Sequence, residues 1–64
     1  METKTISLVD FQAISKGEND LTTKEMVDKI KEGFKYIVVS DDGDYMVMLY
    51  KNEDGEEILG LNKL

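Results

Sequence analysis

The stretch VVSDDGDYMVMLYKNEDGEEILGL, residues 38–61, decides how the chain folds. It holds two Asp-Gly pairs, Asp42-Gly43 and Asp54-Gly55, with the apolar run YMVMLY between them. An Asp-Gly pair flanked by strand-forming residues is the strongest short-range hairpin signal, because glycine adopts left-handed backbone freely and aspartate tolerates it. Each pair predicts a two-residue turn. With KYIVVS (35–40) ahead and EILGLNKL (57–64) behind, the segment predicts a three-stranded antiparallel meander.

Turn centres set register, and register sets which side chains share a face. Centred on Asp42-Gly43, Val39 opposes Met46 and Ile37 opposes Met48. Centred on Asp54-Gly55, Tyr50 opposes Leu59 and Met48 opposes Leu61. One face then holds Ile37, Val39, Met46, Met48, Tyr50, Leu59 and Leu61, and this is the face expected beneath the helices. The other holds Tyr36, Val38, Tyr45, Val47, Leu49, Ile58 and Gly60. An antiparallel sheet with one wet face alternates apolar and polar residues, and this one does not. The second face is therefore expected to be covered, either by the N-terminal segment or by a partner, and a partner is expected, with Tyr36, Val38, Tyr45, Val47, Leu49 and Ile58 as its interface. Tyrosine suits such a place because one end of it tolerates water. Met26, Met46 and Met48 are adaptable side chains, with Met26 and Met48 read as core filler.

The N-terminal half carries helix grammar. In LTTKEMVDKIKEGF, Thr22 is an N-cap with Glu25 three residues on, which makes a capping box. Leu21 and Met26 have the spacing of a hydrophobic staple, and Gly33 is a left-handed stop. A helix over Thr23–Glu32 follows, with Met26, Val27 and Ile30 as its apolar stripe. The same grammar appears earlier: Ser7 as cap, Asp10 as third residue, Ile6 and Phe11 as staple, Gly17 as stop. That predicts an inward stripe of Leu8, Phe11 and Ile14. Residues 5–16 also open with β-branched residues, so a strand there is the alternative. The fold class is α+β: two short N-terminal helices, or a strand and a helix, packed on the meander, in a single domain spanning residues 1–64.

The chain has 64 residues, 14 acids and eight lysines, for a net charge of −6. Residues 41–57 hold Asp41, Asp42, Asp44, Glu53, Asp54, Glu56 and Glu57 against Lys51 alone, so this segment carries the whole imbalance. Direct nucleic-acid binding is disfavoured, since it needs clustered positive charge. With neither cysteine nor histidine, thiolate metal sites, disulfides and the usual general base are absent. Asp-Gly turns lack the alternating acids and distant glutamate of a calcium loop. Carboxylates on solvated turns have nothing to shift their pKa values for acid–base work. No catalytic, metal or cofactor-binding residue is expected. No apolar run approaches membrane-spanning length and no leader is visible, so no membrane partner and a cytoplasmic location are expected.

A chain this short buries only about 60% of its unfolded surface, and without disulfides or metals oligomerisation is the aid left to it. These residues point to a small acidic protein–protein interaction or regulatory factor of phage-like type, acting as a homodimer or by docking on a host protein. The alternative is a DNA-mimic inhibitor, with the acidic hairpin turns standing in for phosphates.

Overall fold

The computed structural model describes residues 2–64. Six elements run in the order β1 (Thr3–Ser7), α1 (Leu8–Lys16), α2 (Thr23–Lys31), β2 (Lys35–Ser40), β3 (Gly43–Lys51) and β4 (Glu57–Lys63). The strands form one mixed sheet in the order β1-β2-β3-β4. The expected meander is present as β2-β3-β4. The strand count was short by one, because β1 adds in parallel to β2, with Ile6 beside Val38. Strand and helix, weighed as alternatives for residues 5–16, are both present. Thr3, Thr5 and Ile6 extend the sheet, and Ser7 ends the strand and starts the helix.

The helix caps form as the spacing predicts. Ser7 Oγ accepts from the Asp10 amide at 3.1 Å, and Thr22 Oγ1 accepts from the Glu25 amide at 3.1 Å. The Thr22 hydroxyl also donates to Glu25 Oε1, a side-chain contact between the two capping-box positions. After α2, Gly33 stands at φ 107°. Its amide reaches Ile30 O, and the Phe34 amide reaches Lys29 O. Those two bonds satisfy the last carbonyls of the helix, as a Schellman motif requires.

The helices lie on one side of the sheet. Phe11, Ile14, Met26, Tyr36, Val38 and Val47 form the core, with Ile6, Leu8, Leu21, Ile30, Phe34, Tyr45, Leu59 and Leu61 packed around it. Each fully buried apolar side chain contributes about 1.5–3 kcal/mol. The exposed Lys31–Glu57 bridge between α2 and β4 contributes about 0–1 kcal/mol, so packing dominates.

The covered face is the reverse of the expected one on β2 and β3. Tyr36 is 2% exposed, Val38 0% and Val47 3%, whereas Val39 is 43% exposed and Met48 37%. The reason lies in the polar neighbours. Lys35, Asp44 and Asn62 share a face with Ile37, Met46 and Met48, and Asp44 lies inside the central strand β3, where covering would strip its water, whereas the charges on the covered side stand on the edge strands or at the end of β3 and keep theirs. Leu59 and Leu61 do face the helices, but for another reason. The second turn holds one more residue than expected, which pairs Leu49 with Leu59 and Val47 with Leu61. A one-residue slip moves every side chain of a strand to the other face.

Candidate functional site

The site is built by the two turns. In the first, Asp41-Asp42 is the connection and Ser40 pairs with Gly43, one residue earlier than the Asp-Gly reading centres it. Gly43 takes the positive φ, 129°, which leaves both aspartates on ordinary backbone. The Ser40 hydroxyl has one proton to share between Asp42 Oδ1 and Gly43 O. Tyr45 donates to Asp42 Oδ2 at 2.9 Å. These bonds, Ser40's first, hold the Asp42 carboxyl below its usual range, and the same contact raises the Tyr45 phenol.

Asn52 governs the second turn. Its Oδ1 accepts from the Asp54 amide at 3.0 Å and the Glu56 amide at 2.9 Å. Its carbonyl accepts from Gly55, and its amide donates to Glu56 O. An asparagine side chain bonded to backbone two residues on is an Asx-turn. It places Gly55, at φ 82°, last in a three-residue loop of Glu53, Asp54 and Gly55. The loop is odd, so β4 enters the sheet one residue out of the phase a two-residue turn would give.

The resulting open face carries Ile37, Val39, Met46, Met48, Tyr50 and Ile58. Tyr50 and Ile58 oppose one another across β3 and β4, and they are 42% and 45% exposed. Gly60 is opposite Met48. The dent it leaves is filled by Tyr50: a Cβ on Gly60 would stand 2.6 Å from Tyr50 Cε2. The Tyr50 hydroxyl donates to Asn62 Oδ1 at 2.8 Å, which anchors the ring across β4. The surface is thus apolar in the middle and polar at the rim, with Lys35 and Asp44 on β2 and β3 and Asn62 on β4.

Of the six residues expected at an interface, Ile58 alone lies on this face. Tyr36, Val38 and Val47 are buried under the helices, and Tyr45 and Leu49 are half-buried on the same covered side. Ile37, Val39, Met46, Met48 and Tyr50 had been expected under the helices. A signal for them was present: Lys35 and Asp44 alternate in phase with them and mark that face as the wet one.

The acidic residues are all exposed. Asp41, Asp42 and Asp44 sit at one end of β3, and Glu53, Asp54, Glu56 and Glu57 at the other. The seven β3 residues Tyr45–Lys51 lie between the two groups, a span of roughly 25 Å. Glu57 bonds Lys31 Nζ at 2.6 Å. Among the described residues, no three acids are placed to hold a metal ion, and no helix is long and apolar enough to cross a membrane. A groove between the start of α2 and the second turn is open and is lined by Thr23, Lys24, Val27, Asp28 and Glu57.

No protein-family model, curated protein or solved structure matches the chain.

Proposed function

We propose that this is a small protein-binding factor that docks on another protein through the open face of its sheet. The observation that carries the reading is that face: Val39, Met48, Tyr50 and Ile58 are large exposed apolar side chains on three strands, joined through the half-buried pair Ile37 and Met46. Large contiguous apolar patches with a polar rim mark interaction sites on small proteins. The seven turn acids, divided between two ends of β3, serve solubility and the approach of the partner in this reading.

The test compares two variants as baits in a lysate of the native source. Met48→Lys with Ile58→Lys charges the open face without touching the core. Asp41→Asn with Glu53→Gln neutralises one acid in each turn. Both should fold, by circular dichroism and thermal melt. The reading expects a partner held by the wild type and by the turn variant and lost by the face variant. A partner lost with the turn variant and kept by the face variant would overturn it in favour of carboxylate mimicry of phosphate.

A further inference from the structure

The sheet has two edges, and they are built differently. β1 is five residues long, carries Lys4 and Thr5, and runs straight into α1. β4 is seven residues long and has no proline. It follows β3 without a skipped residue from Lys51↔Glu57 to Tyr45↔Lys63. No other strand lies beyond it. Among the described residues, its outward amides and carbonyls have no turn, cap or side-chain partner. A long, straight edge of this kind is a template for another strand unless it is charged, bulged or covered. β4 is charged only at its two ends, and with opposite signs.

We propose that β4 pairs antiparallel with β4 of a second copy, about a two-fold axis through Gly60. The sequence Glu57-Ile58-Leu59-Gly60-Leu61-Asn62-Lys63 is self-complementary about that glycine. Glu57 lies opposite Lys63 of the second copy, and Leu59 opposite Leu61, each pair occurring twice, as a two-fold interface requires. All four of these residues share the helix-covered face, because alternate residues of a strand point the same way. Leu59 and Leu61 are half-buried in one copy, and the pairing brings the two copies' leucines together beside the helices. Gly60 on the axis has no side chain to meet its mate, and its open side is already roofed by Tyr50.

Other registers are worse. A slip of one residue would set the helices of the two copies on opposite sides of the sheet. A slip of two would separate Glu57 from Lys63. In the favoured register the two sheets join as one of eight strands, and the two open faces become one continuous surface. The inference rests on the edge and not on the docking reading, and either can fail without the other.

The experiment is a charge swap read by sedimentation equilibrium across the micromolar range. The wild type should dimerise. Glu57→Lys alone and Lys63→Glu alone each put like charges opposite one another twice, and each should weaken self-association roughly tenfold or more. An equimolar mixture of the two variants restores both opposite-charge pairs and should form the mixed dimer. If either variant folds poorly, the wild type supplies the second reading. The amides of β4 should gain hydrogen-exchange protection as concentration rises. A wild type that stays monomeric throughout would overturn the proposal. So would a dimer indifferent to both charge changes but dissolved by Met48→Lys on the open face.

Discussion

Val38 and Val39 are neighbours in β2 with the same side chain, and they meet opposite surroundings. Val38 is fully buried under the helices, beside Ile6 of β1 and Tyr45 of β3. Val39 is 43% exposed, opposite Asp44. The covered face holds the chain together, and the open face is the one proposed for docking. What separates them is the placement of charge: Asp44 stands on the open side inside the central strand β3, whereas the charges on the covered side stand on the edge strands, Lys4 of β1 and Glu57 and Lys63 of β4, or at a strand end, Lys51. Apolar content alone does not distinguish the two faces, because both are rich in it.

The largest expected effect tests that comparison directly. Val38→Asp buries a carboxylate with no partner, a loss of several kcal/mol. A domain of this length holds roughly 3–10 kcal/mol in total, so urea denaturation of Val38→Asp should show little or no folded baseline. Val39→Asp should unfold within about 1 kcal/mol of the wild type, since its site is wet and only strand preference is lost. Equal destabilisation by the two would mean that the faces are not distinct.

The next effect falls on the device that sets β4. Asn52→Ala removes the acceptor of two backbone bonds, from Asp54 and Glu56. At about 0.5–1.5 kcal/mol for each bond, the denaturation midpoint should fall by an amount equivalent to about 1–3 kcal/mol. The second turn then has only its Asp-Gly pair to guide it. Side-chain contacts measured by nuclear magnetic resonance should show some Ile58 signal in the core, where Leu59 sits in the wild type. An unchanged midpoint and a single register would show that packing of Leu59 and Leu61 orients β4 without help.

A smaller effect belongs to the covered face alone. Burial pushes the Tyr36 phenol above its ordinary value of 10.0. The unfolded chain releases this proton at lower pH than the folded one. The stability linked to it is complete below the unfolded value and is lost as pH rises through the folded value. Tyr36→Phe should therefore keep more of its neutral-pH melting temperature above pH of about 10 than the wild type does. Parallel declines in the two proteins would show that Tyr36 ionises without opening the core.

The smallest effect is expected at the turns. Asp41→Asn with Glu53→Gln removes one charge from each acidic group, where water and salt already screen repulsion within about 8–10 Å. Stability should be equal or slightly higher. Millimolar calcium should leave the wild-type melting temperature unchanged, and a clear rise would mean that the turn acids bind it.

Local grammar was legible. Ser7, Thr22, Gly17 and Gly33 mark the ends of both helices through bonds that close within a few residues, and such bonds depend on little beyond their own neighbours. The stripes Leu8-Phe11-Ile14 and Met26-Val27-Ile30 follow from helical spacing and are found facing the core. The three strands of the meander were legible for the same reason.

Tertiary structure decided the rest. Thr3–Ser7 becomes a strand only because β2 is there to receive it, a pairing between residues more than thirty apart in the chain. The candidate surface depended on which of two apolar faces the helices would cover, and five of its six apolar residues, all but Ile58, were expected on the other side. The side chosen keeps Asp44, inside a central strand, in water and leaves the covered side's charges at edges and strand ends. The orientation of β4 turned on whether Asp54-Gly55 closes a loop of two residues or three. The dipeptide is compatible with both. Asn52 decides it, through bonds that exist only when the loop has closed.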